Sequence, residues 1–187
     1  MAEEKKRRGR RDHLNDFYRD VSGNYVYTGV CYEHTDGVCA NTALLRRLRL
    51  MAAVMAAAVL AGGCISAPGV GRCFYVLLPY AAQIGVTGSI VWAVARWQVR
   101  EYPLREYIYR ATVQALPGRC LAQAVLAGVG LAAETLYLLL SGSGGHGAAA
   151  AIYLLLQACV LVLALLTRRA VLASDWQMEK HGGLTAE

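Results

Sequence analysis

The chain has 187 residues, 56% of them hydrophobic, and a formal net charge of +6; its mean hydropathy is +0.34. That composition is too apolar for an ordinary soluble domain. The basic surplus does not mark a nucleic-acid binder either. Apart from Lys5, Lys6, Arg7, Arg8, Arg10 and Arg11, the basic residues sit beside apolar segments, the pattern of retention at a membrane surface.

Residues 1–44 are polar and are expected to lie in the cytoplasm as a short, mostly irregular segment. Ser22, Gly23 and Asn24 carry turn chemistry, and Tyr25, Tyr27, Val30 and Tyr32 favour extended backbone, so a short strand or hairpin is expected here. The first apolar segment covers residues 45–66 and the second residues 73–95, joined by a tight loop at 67–72. Residues 119–140 and 148–167 form two more, joined by the Gly/Ser-rich loop 141–147, and a polar tail covers 168–187. Within the last two segments Glu134 is the one charged residue between Cys120 and Thr167. Apolar runs of about 18 residues or more read as membrane-spanning helices. A barrel would demand alternating polar and apolar residues, which these segments lack. The expectation is an all-α polytopic membrane protein, a bundle of four transmembrane helices built as two helical hairpins.

Between the hairpins, residues 96–118 interleave arginines with aromatics. Arg96, Trp97, Arg100, Arg105 and Arg110 suit a lipid surface, with rings at headgroup depth and guanidinium groups among anionic phosphates. The basic residues of the short connections fall on one side: Arg46, Arg47 and Arg49, then this stretch with Arg119, then Arg168 and Arg169. The other side holds Arg72. Positive charge stays inside, which puts both termini in the cytoplasm, and the plasma membrane is the expected location.

Polar residues inside the apolar segments are costly and mark candidate sites. Glu134 lies in the outer half of the third segment, and Gln123, eleven residues earlier, shares its face. Gln83 and Thr87 share a face of the second at i, i+4, and Gln157 lies midway along the fourth. These five either hydrogen-bond between helices or line a proton or cation path. Cys64 and Cys73 flank the first loop and are placed for a disulfide. Arg46 to Cys64, a basic stretch and an apolar run ending in Leu60 to Cys64, also resembles a lipoprotein signal, but nearly fifty residues precede its apolar run, far beyond the n-region of a signal peptide. Cys31, His34 and Cys39 are weak metal candidates, three ligands where a structural zinc site wants four, so no metal and no cofactor are expected. Phosphate-binding loops and catalytic motifs are absent from the sequence.

Small residues recur every fourth position at Ala53, Ala57 and Ala61 and at Ala124, Gly128 and Ala132, a spacing that brings helix backbones close. The expected role is therefore a non-enzymatic helix-packing subunit or accessory of a membrane assembly, with lipids and other transmembrane helices as partners and no nucleic acid. One alternative is an oligomeric transporter or channel built on Glu134 and the glutamines. Another is a membrane-anchored sensor acting through residues 1–45. The sequence also echoes itself: Tyr75 and Trp97 in the first hairpin are spaced almost as Tyr153 and Trp176 are in the second, as in a parallel repeat.

Overall fold

The computed structural model describes residues 17–19, 25–27, 30–65, 67–99, 102–141 and 145–180. In chain order the elements are β1 (Phe17–Arg19), β2 (Tyr25–Tyr27), β3 (Val30–His34), α1 (Gly37–Cys64), α2 (Pro68–Arg72), α3 (Phe74–Gln98), β4 (Leu104–Arg105), α4 (Glu106–Tyr109), a π-helical turn (Arg110–Gln114), α5 (Leu116–Ser141), α6 (Gly147–Leu172) and β5 (Trp176–Lys180). The protein is mainly helical. Three of its helical stretches are long and apolar enough to cross a membrane: Phe74–Gln98, Glu106–Ser141 and Gly147–Leu172. The expected fourth, α1, is not apolar enough to be counted with them; Arg46, Arg47 and Arg49 lie inside it.

The long helices pack side by side, α3 against α1 and α5, and α6 against the same two. Each turns one stripe inward at helical spacing: Leu48, Ala52, Met55 and Val59 from α1, Val76, Tyr80, Ile90 and Val94 from α3, Cys120, Ala124 and Ala127 from α5, and Tyr153, Val160 and Ala164 from α6. The outward faces are apolar as well. Phe74 is 74% exposed, Leu155 70% and Leu139 79%. Exposed leucine, valine and phenylalanine around a whole bundle are out of place in water and suit hydrocarbon surroundings.

Several element boundaries differ from those expected. The first helix begins at Gly37, not near residue 45: a positive φ of 81° at Gly37 turns the chain out of β3, and Ala40, Ala43, Leu44 and Leu45, good helix formers, carry the helix into the arginines. The segment before it is therefore not mostly irregular from Val30 onward. The tight loop holds a helical turn, α2, with Pro68 at its start and Pro68 and Gly69 buried. Pro117 lies just after the π-helical turn, at the start of α5 and within the helical stretch Glu106–Ser141.

β1 and β2 form an antiparallel pair, with Phe17 opposite Tyr27. A second sheet has the order β4-β3-β5 and is antiparallel throughout. It joins the segment before α1, the connection after α3 and the tail after α6, so these three meet at one end of the bundle, the sheet end. The other end, the loop end, carries α2 and the α5–α6 connection. Aromatic rings bind the sheet to the helices. Tyr32 stacks on Tyr109 at 4.1 Å between centroids, and Trp176 meets His34 at 5.5 Å, Trp97 at 5.6 Å and Tyr109 at 5.5 Å. The His34 N–H donates to the Tyr102 hydroxyl at 2.9 Å, and the Thr35 N–H to the Asp175 carbonyl at 3.0 Å.

Trp176→Ala removes three ring contacts at once, each worth about 0.5–1.5 kcal/mol beyond the area it buries. It is expected to release β5 and raise amide hydrogen exchange in β3 and β5 at least tenfold, with protection in the middle of α3, α5 and α6 unchanged.

Candidate functional site

The polar residues singled out in the apolar segments all turn inward. Gln83, Gln123 and Glu134 have no exposed surface, Gln157 is 3% exposed and Thr87 5%. α3 supplies Gln83 and Thr87 from its buried stripe, α5 supplies Gln123 and Glu134, and α6 supplies Gln157. The 3.6-residue repeat explains why one stripe of each helix holds all of them.

The centre is an amide pair. Gln83 Nε2 donates to Gln157 Oε1 at 2.9 Å, and Gln157 Nε2 donates to the Tyr153 hydroxyl at 2.9 Å, one turn along α6. Gly130 of α5 makes room for it: a Cβ there would stand 3.6 Å from Gln83 Nε2 and 3.8 Å from Gln157 Nε2. Beside the pair, Tyr80 and Tyr153 lie 6.4 Å apart, tilted, over Gly62 of α1, and the Tyr80 hydroxyl donates to the Val59 carbonyl at 2.9 Å. One turn toward the loop end, Glu134 Oε1 accepts the backbone N–H of Gly69 at 3.3 Å. That contact fastens α2 over the end of the bundle. Beyond α2 is an open cleft of about 410 Å³ whose walls include Cys64, Ala67, Pro68, Val70, Arg72 and His146.

Other polar atoms in this interior have no partner among the described residues. Along one column they are Gln83 Oε1, the Thr87 hydroxyl, both ends of the Gln123 amide and Glu134 Oε2; nearer the sheet end the Trp97 Nε1–H is likewise without a partner among the described residues. A buried polar atom without a partner costs about 1–3 kcal/mol, so five of them along one column point to something not supplied by side chains.

The other candidates do not gather here. Trp97 does not lie at a lipid surface: it is 2% exposed and packs on Trp176. The exposed ring of this region is Trp92, 53% exposed, with the Arg96 guanidinium 5.1 Å from its ring centroid. Arg105 lies in β4, and Arg110 pairs with Glu106 at 2.5 Å. Arg100 lies outside the described residues. Cys64 is exposed and Cys73 half-buried, and the two are not joined in this structure. Cys31, His34 and Cys39 do not form a metal-binding group; His34 Nδ1 instead accepts the Asp36 N–H at 3.2 Å, and Cys39 is exposed on α1. The two tyrosines of the sequence echo stand differently: Tyr75 is 46% exposed while Tyr153 is wholly buried.

Sequence reasoning missed Tyr80, Tyr153, Gly69 and Arg119. Tyr153 was within reach, four residues before Gln157 on the same face. Arg119, read as one more interfacial charge, reaches across the helices and donates to the Ser89 carbonyl at 2.9 Å and the Ala111 carbonyl at 3.5 Å.

Gly69→Ala puts a methyl group onto the Glu134 carboxylate and within 3.2 Å of Val76. Overpacking of this kind costs about 1–3 kcal/mol. Thermal unfolding in detergent is expected to show that loss for Gly69→Ala and no loss for Gly71→Ala, whose Cβ would meet nothing within 4 Å. Combining Gly69→Ala with Glu134→Ala is expected to be less damaging than the two separate losses added. Comparison with protein-family models, curated proteins and solved structures finds no match, so the chain is assigned to no family.

Proposed function

We propose that the chain is a non-enzymatic subunit or accessory of an assembly in the cell membrane, and that it acts by packing against another transmembrane helix. The observation that carries this is the outward face of α1. Ala53, Ala57 and Ala61 are all exposed, on the side opposite the buried Met55 and Val59. Three alanines in a row along a helix let a second backbone approach closely, and close packing rather than hydrophobicity drives association in lipid. The neighbouring α3 repeats the pattern with Ala81, Gly85 and Gly88, also exposed.

In this reading α1 is the fourth membrane span. Leu50 to Cys64 is free of charge, and α1 packs along both α3 and α6. The arginines at its sheet end then sit at the cytoplasmic headgroups. Arg96, Arg105, Arg110, Arg119, Arg168 and Arg169 belong to the same end, and Arg72 to the loop end. The positive-inside asymmetry thus supports a sheet end, and both termini, in the cytoplasm.

The competing readings have less support. An oligomeric pore would turn Glu134 and the glutamines toward another copy, yet they are buried within a single chain. A sensor acting through residues 1–45 would want a segment free to respond, yet β3 is held between β4 and β5.

Two measurements test the proposal. In a cysteine-free background, His146→Cys is expected to react with a membrane-impermeant thiol reagent in intact cells, and Asp36→Cys and Asp175→Cys only after lysis. Labelling of Asp36→Cys from outside would remove α1 from the spans. For the partner, Ala53→Leu with Ala57→Leu is expected to cut co-purification of associated membrane proteins at least tenfold, while the melting temperature of the isolated chain stays within about 2 °C. Undiminished co-purification would show that α1 is not the docking face.

A further inference from the structure

We propose that the interior between α3, α5 and α6 is a water-binding site, in which a single file of water molecules runs from the Glu134 carboxylate to the Gln123 amide. The inference does not rest on α1 docking to a partner. Its basis is the run of polar atoms that the protein leaves unpartnered. Glu134 Oε2, Gln83 Oε1, the Thr87 hydroxyl, and Gln123 Oε1 and Nε2 are each buried without a hydrogen-bond partner among the described residues. All belong to residues at most 5% exposed.

Their spacing along the bundle is what water would bridge. Gln83 and Gln157 are level with Gly130, since a Cβ on that glycine would touch both. Glu134 lies four residues from Gly130 toward the loop end, about 6 Å along the helix axis. Thr87 lies four residues from Gln83 toward the sheet end, again about 6 Å. Gln123 is seven residues from Gly130 in that same direction, about 10 Å, which leaves roughly 4–5 Å between it and Thr87. A water that donates to one group and accepts from another spans about 5.6 Å, twice an ordinary O–H···O distance. The backbone offsets of about 4–6 Å are of the order of that span, and the side chains that reach into the interior make up the difference. Buried waters typically make about three hydrogen bonds, and the chemistry here is mixed: carboxylate, carbonyl and hydroxyl oxygens accept, while the Thr87 O–H and Gln123 Nε2 donate.

The file is a well rather than a pore. Toward the sheet end the bundle interior is filled by Trp97, Leu48 and Leu116, each no more than 2% exposed. Toward the loop end one layer of backbone closes it: Gly69 of α2 touches Glu134, while Pro68 and Val70 line the open cleft on the other side. Water thus enters by way of α2, and no solute passes through.

The test is water-edited solid-state NMR on the full chain in lipid bilayers, uniformly labelled with nitrogen-15, with the glutamine side-chain peaks assigned through Gln83→Met and Gln123→Met. At a mixing time when the exposed Gln114 side chain is saturated, the Gln83 and Gln123 amides are expected to reach at least half its intensity. The backbone amides of Ile90 and Ala164, buried at similar depth, are expected to stay below one fifth. Glu134→Leu, which removes the first anchor of the file, is expected to lower the Gln83 transfer at least twofold. Transfer to neither Gln83 nor Gln123 overturns the proposal. Transfer to Gln83 alone also overturns it, because it leaves one isolated water in place of a file. The wild-type spectrum carries the test even if a variant fails to fold.

Discussion

The hydrogen bond from Gln83 Nε2 to Gln157 Oε1 lies at the middle of the bundle and sets the constraint on which the rest depends. An amide surrounded by apolar groups must find a partner, and these two find each other only at one relative height of α3 and α6. Gly130 on α5 leaves the space they occupy, and Tyr153 takes the second amide proton. Apolar packing alone would tolerate sliding by a turn, because leucine and alanine stripes look alike along their length. The polar pair does not. It fixes the register of three helices, and from that register follow the placing of Glu134 beneath α2 and of Gln123 one turn or more nearer the sheet end.

Polarity is thereby arranged inside out. The faces of α3, α5 and α6 away from the core carry exposed leucine, valine and phenylalanine, while Gln83, Thr87, Gln123, Glu134, Tyr153 and Gln157 point inward. The sheet end is built on another principle. Three segments far apart in sequence are joined by backbone pairing and by the rings of Tyr32, His34, Trp97, Tyr109 and Trp176. Segments so joined lie on one side of the molecule, and it is the side that gathers the arginines.

Local pattern made part of this legible. The three most apolar helices are marked by their uncharged runs, and the shared faces of Gln83 with Thr87 and of Gln123 with Glu134 follow from helical spacing. Features made by long-range pairing were not. β5 reads as a polar tail because nothing within residues 176–180 shows that β3 awaits it. Trp97 reads as an interfacial ring because the ring that covers it, Trp176, is almost eighty residues away. The start of α1 was hidden for a different reason: charge ends an apolar run but not a helix, so the arginines masked the turns before them. The resemblance of Tyr75 to Tyr153 is a likeness of sequence that packing does not respect.

The central claim, that these helices and α1 with them stand in lipid with their polar groups turned inward, is tested most directly by spin-label accessibility. Labels at Ala57, Leu77, Val125 and Leu155, one outward position on each long helix, are placed on the chain reconstituted in bilayers. Collisions with oxygen are expected to exceed those with a water-soluble nickel complex at all four. Dominance of the nickel complex at Leu77, Val125 and Leu155 would contradict the membrane reading as a whole, and dominance at Ala57 alone would take α1 out of the bilayer.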